Sequence, residues 1–128
     1  MTRTFEVPGR LPGLNEYTRA CRSHWAVGAK LKRESTRLVA ACARAARVGR
    51  FSGPVTVTCR WVERDSRRDL DNVAFGMKFV LDGLVEAGVI GDDDQRHVGG
   101  ISSEFSIDRR KPRVVVTITG EDMHWRSS

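Results

Sequence analysis

The chain has 128 residues, 40% of them hydrophobic, and carries 22 Lys and Arg against 16 Asp and Glu, a formal charge of +6. That length fits one domain spanning residues 1–128 and is too short for two independent cores. No apolar run is long enough to span a bilayer and Met1–Val7 lacks the apolar core of a secretory signal, so a cytoplasmic protein without membrane partners is expected.

Thr2–Val7 alternates weakly and reads as a first strand, followed by the turn-rich loop Pro8–Gly13. Asn15 to Ala26 fits either a loop or an irregular helix. From Ala29 to Val48 the Ala-rich composition predicts a helix, with Leu31, Leu38, Cys42 and Ala45 as its apolar face. Gly49–Gly53 ends it. Pro54–Val62 alternates through Val55, Val57, Cys59 and Trp61, as a half-buried strand does. After the charged loop Glu63–Arg68, a second helix is expected from Asp71 to Glu86, with Val73, Met77, Leu81 and Leu84 inward and Ala87–Gly88 closing it. His97–Ile107 is a further strand candidate, broken at Gly99–Gly100. Arg113–Thr119 is the clearest strand, and residues 121–128 read as a frayed tail. The expected fold is α+β: a small, largely antiparallel or mixed sheet of about four strands with two main helices packed on it.

The charge distribution says more than the net charge. Basic residues crowd between Lys30 and Arg50, where Glu34 is the only acid, and Asp69, Asp71 and Asp92–Asp94 concentrate acids at two points. The basic excess suits a polyanionic partner, since each neutralised phosphate releases counterions. In extended backbone Asp69 and Asp71 aim two carboxylates at one side, with Leu70 turned to the core. Crowded carboxylates call for a cation, and a hard oxygen-seeking ion such as Mg²⁺, with Mn²⁺ as a substitute, fits them. A segment returning after the helix would bring Asp92–Asp94 beside the pair. The plainer alternatives are a helix cap at Asp71, an ion pair from Asp69 to Arg67 or Arg68, and a solvated acidic turn at Asp92–Asp94.

Arg68-Asp69-Leu70-Asp71-Asn72, then Lys78-Phe79-Val80-Leu81-Asp82-Gly83-Leu84, then Ala87-Gly88-Val89-Ile90 and Asp92-Asp93-Asp94-Gln95, resembles the RusA-like Holliday-junction resolvases. Pro12-Gly13-Leu14-Asn15-Glu16-Tyr17 is similar to that family's Pro-x-x-Asn-x-Tyr stretch. The resemblance implies a homodimer that cuts branched DNA, the four-way junction above all, with Mg²⁺ and no nucleotide cofactor. It also implies Asp69, Asp71 and Asp93 as metal-binding, catalytic aspartates, with Asp92 and Asp94 as neighbours. The family's lysine, one helical turn after the second aspartate, falls here on Phe75. Lys78 is the nearest candidate for its role, seven residues from Asp71 and within about 20° of the same helix face.

Arg19 and Arg22 with Trp25, Arg67 and Arg68, and the stripe Lys30, Arg33, Arg37, Arg44 and Arg47 complete the expected DNA-binding set with Asn15 and Tyr17. The stripe equally suits the wet side of an amphipathic helix, and Trp25 equally suits a core position. His97 is placed to shuttle a proton or to serve structure alone. Cys21, Cys42 and Cys59 form no close pair, so reduced thiols packed as small hydrophobes are expected rather than a disulfide framework. The absence of Cys-x-x-Cys or paired His argues against zinc. A non-catalytic binder of branched DNA is the rival reading. A sugar transferase using Asp69-Leu70-Asp71 is disfavoured by small size and basic charge.

Overall fold

The computed structural model describes residues 1–120, so the expected tail at 121–128 lies outside the described residues. The elements in order are β1 (Thr2–Pro8), α1 (Leu14–Ser23), α2 (Trp25–Ala45), β2 (Val55–Glu63), α3 (Leu70–Ala74), α4 (Met77–Glu86), β3 (Val98–Ile107) and β4 (Arg113–Gly120). The strands form one mixed sheet in the order β1-β4-β2-β3. The β1–β4 and β4–β2 pairings are antiparallel and β2–β3 is parallel. The expected α+β class and four-stranded sheet are therefore present. Parallel pairing demands a crossover, and α3, α4 and the acidic loop provide it.

Alternation works as expected on β2: Val55, Val57, Cys59 and Trp61 are all buried. They meet Phe5 and Val7 of β1 and Val114, Val116 and Ile118 of β4 in one core under the helices. No described helix is long and apolar enough to cross a membrane.

Of the two alternatives for Asn15–Ala26 the structure has the helix, and it turns a corner at His24, whose Nδ1 accepts from the Ala26 amide. Three expectations are corrected. On α2 the buried residues are the small ones, Gly28, Ser35, Thr36, Val39, Ala40 and Ala43, while Leu38 is 40% exposed and Ala45 is also exposed. The reason is close approach to α4: a Cβ on Gly83 would stand 2.5 Å from Val39 Cγ1 and 3.1 Å from the Thr36 carbonyl oxygen. The expected helix Asp71–Glu86 is broken at Phe75–Gly76 into α3 and α4. Gly76 sits against Trp61, where a Cβ would meet the indole at 2.9 Å. Finally, β3 continues through Gly99–Gly100, with only a register shift opposite Val55 and Thr56.

Candidate functional site

Beyond the end of β2 the chain is pinned by Glu63. Its carboxylate accepts from Arg68 Nε at 2.9 Å and Nη2 at 2.8 Å, and both side chains are largely buried. Arg10 stands 3.9 Å from the same carboxylate, and Arg68 Nη1 also donates to the Leu11 carbonyl at 3.3 Å. The loop before α1 is thereby drawn onto the start of α3. Gly13 makes the fit possible, because a Cβ there would lie 2.7 Å from Asn72 Oδ1 and 2.8 Å from Arg68 Nη1. Asn72 Oδ1 accepts from the Asn15 amide at 2.9 Å and completes the seam.

This seam floors a cleft of about 470 Å³ lined by Arg10, Asn15, Arg19, Arg67, Arg68, Asp69 and Asn72, with Gly13 and Glu16. Asp69 and Asp71 are both exposed, one at the N-cap of α3 and the other in its first turn. Neither Asp side chain caps the helix in the way the plain alternative requires: Asp69 makes no side-chain cap bond, and Asp71 Oδ1 accepts from the next residue, the Asn72 amide. Nor does Asp69 pair with Arg67 or Arg68: Arg67 pairs with Asp65 and Arg68 with Glu63. The Arg67 amide, ahead of the flanking arginines, holds the Asp65 carboxyl below the usual carboxylate range. Leu70, expected in the core, is 59% exposed, because the chain is already entering α3 there rather than running extended.

The other acidic group is elsewhere. The Val89 carbonyl accepts from the Phe51 amide at 2.8 Å and the His97 carbonyl from the Val55 amide at 3.0 Å, which fixes Asp92–Asp94 at the start of β2. Asp69 and Asp71 follow its end at Glu63. Eight residue steps of strand separate those ends, about 26 Å at about 3.3 Å per step. The segment returning after the helix, expected to bring Asp92–Asp94 beside the pair, instead delivers them to the start of β2, where β3 begins. Accordingly, among the described residues no group of three or more His, Cys, Asp or Glu is placed to hold one metal ion.

The acidic loop has its own internal order. Asp92 Oδ1 accepts from the Asp93 amide at 2.7 Å, and Asp94 Oδ1 lies 2.6 Å from His97 Nδ1. That bond to His97, ahead of the nearby Arg96, holds the Asp94 carboxyl below the usual range. Asp93 is exposed and has no side-chain partner among the described residues. Asp94 thus serves the turn and leaves Asp93 as the outward carboxylate.

Lys78 is exposed in the first turn of α4. The break at Phe75–Gly76 removes the continuous helix on which its alignment with Asp71 was reckoned. Phe75 is taken up by packing: its ring lies 5.5 Å from that of Tyr17 and 5.8 Å from that of Phe79. Tyr17, expected to meet DNA, is half-buried in this aromatic cluster, and burial first, then a hydrogen bond with Cys21, pushes its pKa up. Asn15, Arg19, Arg22, Lys30, Arg33, Arg37 and Arg67 are exposed, whereas Arg68 is held by Glu63. Trp25 is 77% exposed and stacks on His24 with ring centroids 5.7 Å apart, so it is no core residue. The thiols are all free, but only Cys59 is fully buried and Cys21 is exposed. Arg10 and Glu63 were missed by sequence reasoning, and no spacing or motif marks either one.

Compared with known proteins, the chain matches no family model and no curated protein.

Proposed function

We propose that the protein is a divalent-cation-dependent endonuclease of branched DNA that works as a homodimer. The observation that carries this reading is the cleft in which Arg10, Arg19 and Arg67 stand with Asp69, two residues before the exposed Asp71. Cations that dock phosphate stand there beside carboxylates able to ligate Mg²⁺ or Mn²⁺, the combination a phosphodiester hydrolase needs. The motif Arg68–Asn72 and its resemblance to the RusA-like resolvases point the same way.

One protomer would hold the cation only in part, since Asp69 stands in the cleft, Asp71 lies in the first turn of α3 instead of on the extended backbone that would aim both to one side, and Asp93 lies at the far end of β2. A second copy is the natural source of the third, and two-fold symmetry would supply two such sites for the two strands of a four-way junction. The ion, when bound, supplies Lewis-acid stabilisation of a phosphodiester. The chain's own part is to orient. The Glu63–Arg68 pair and the Asn15–Asn72 seam hold the start of α3, exposed arginines take the flanking phosphates, and Lys78 adds a further cation on α4.

The test is cleavage of a synthetic four-way junction with Mg²⁺, comparing Asp71→Asn. Paired nicks lost in the variant while junction binding survives support the proposal; equal cleavage by the variant removes Asp71 from the site. The lack of a three-ligand cluster among the described residues favours a second reading, a branched-DNA binder without catalysis. Binding indifferent to Mg²⁺, with no cleavage of any branched substrate, would select it.

A further inference from the structure

Helices α2 and α4 end beside one another in the same backbone motif. At the end of α4 the Val89 amide donates to the Leu84 carbonyl at 2.9 Å and the Gly88 amide to the Val85 carbonyl at 3.0 Å. At the end of α2 the Val48 amide donates to the Ala43 carbonyl at 3.2 Å and the Arg47 amide to the Arg44 carbonyl at 3.0 Å. Such an ending needs one left-handed residue, and glycine is the usual one because it has no Cβ to clash. Helix α4 follows the rule, with Gly88 at a φ of 77°. Helix α2 breaks it. Arg47 stands in the same place at a φ of 54°, the only residue other than glycine with positive φ among the described residues. Strain of that kind persists where the side chain it carries is needed.

That side chain lines a hollow of about 350 Å³ between the two helix ends. Arg44 and Arg50 line it too, over a floor that includes the buried Val48 and Val89. The plain role for arginines here is to offset the negative ends of the two helix dipoles. Arg44 fills that role, since its Nη2 donates to the Glu86 carbonyl at 2.8 Å. Arg47 and Arg50 do not: neither side chain bonds a carbonyl or pairs with an acid among the described residues. Arg50 Nη2 reaches within 3.8 Å of where a Cβ on Gly91 would stand, yet Asp92 and Asp93 just beyond leave it unpaired. The two helix ends carry about −1 together against three guanidinium groups, so the hollow keeps an excess of about +2.

We propose that this hollow is a phosphate site, formed by Arg47 and Arg50 with Arg44 as its third cation. A phosphate dianion, or two neighbouring backbone phosphates, matches the charge excess, and guanidinium forks suit their oxygens. The site lies at the start of β2, where the Phe51 amide donates to the Val89 carbonyl at 2.8 Å. The cleft bearing Asp69 lies beyond the other end of that strand, about 26 Å along it. A duplex arm covers such a span in about eight base pairs at about 3.4 Å per pair. Free phosphate and the phosphates of DNA share this chemistry. The site itself does not rest on the function proposed above; only a DNA source for its phosphate does.

Thermal melting of the full chain in inorganic phosphate, against chloride at equal ionic strength, tests it. The wild type is expected to melt higher as phosphate rises. Arg50→Gln is expected to weaken the apparent phosphate affinity at least about tenfold. Arg47→Gly is expected to lose the response as fully, while melting above the wild type in chloride because glycine relieves the left-handed strain. Arg109→Gln, in the exposed turn after β3, removes the same charge and should leave the response unchanged. A wild type that responds to phosphate no more than to chloride, or a response that survives in both Arg50→Gln and Arg47→Gly, overturns the proposal. Binding of a four-way junction with arms longer than about eight base pairs then separates the sources. Weaker binding by Arg50→Gln assigns the phosphate to DNA, and unchanged binding assigns it to a free phosphate; both keep the site. A chain that takes phosphate here but cuts no junction keeps this inference and discards the nuclease.

Discussion

Arg68 grips Glu63 through two parallel hydrogen bonds, at 2.9 and 2.8 Å, and thereby ties the segment bearing Asp69 to the last residue of β2. The two side chains are 16% and 12% exposed, so water does little to replace either partner. Arg68→Ala leaves the Glu63 charge with only Arg10 at 3.9 Å and is expected to cost about 2 kcal/mol, less than a fully buried pair because some solvent reaches it. Arg68→Lys keeps the charge but loses the fork and should recover only part of that loss. Urea unfolding of both variants checks the order; equal stability of Arg68→Lys and wild type would show that the fork geometry is unimportant.

The α2–α4 contact makes an equally sharp expectation. Gly83→Ala improves intrinsic helix propensity by about 1 kcal/mol, yet its methyl would collide with Val39 and crowd the Thr36 carbonyl. Overpacking at a site with backbone behind it costs about 1–3 kcal/mol, so a net loss is expected. Gly88→Ala should also lose about 1 kcal/mol for a different reason, its φ of 77° with nothing nearby to clash. Adding Val39→Ala should bring the first variant little relief, because the Cβ of residue 39 itself would stand 2.6 Å from the new methyl, and should leave the second untouched.

Thiol chemistry should separate the three cysteines. Cys21 is exposed and should react with an aromatic disulfide reagent at once, Cys42 more slowly, and Cys59 only after unfolding. Burial pushes the Cys59 thiol up to about 12. The native state therefore keeps it neutral where the unfolded chain, near pH 8.5, already ionises. Its contribution to stability is complete below that pH and declines as pH rises toward 12. Cys59→Ala should flatten the alkaline limb of a stability–pH curve; an unchanged limb would refute the assignment.

Lys78 should reveal its role through salt. As an exposed phosphate contact, its replacement by Ala would weaken binding to all branched substrates alike and lower the magnitude of the salt slope by about 1. A cleavage rate that falls while binding and slope stay unchanged would place it instead at the reacting phosphate.

The strands were legible because alternation reports one buried face, and β2 and β4 show it plainly. The face of α2 was not, because Leu31 and Leu38 outweigh Ser35, Thr36 and Ala43 in any hydrophobic count. Only the approach of Gly83 shows that small residues are wanted there. The break at Phe75–Gly76 was hidden for a related reason, since Gly76 is required by Trp61, distant in sequence. The acidic residues themselves could be named from the chain, but not their separation. Spacing along a crossover does not say to which end of the sheet it returns, and the parallel β2–β3 pairing decided that.

Among the described residues strand β1 pairs only with β4, Thr2 opposite Thr119 and Pro8 opposite Arg113, while β4 also lies against β2. The centre of the sheet thus joins stretches of chain that are neighbours in space and strangers in sequence. Phe5 and Val7 reach the core only after a loop of about a hundred residues has closed, an entropic toll met before those contacts form. Refolding should therefore run in milliseconds to seconds rather than microseconds, with the helices formed well before the sheet is sealed.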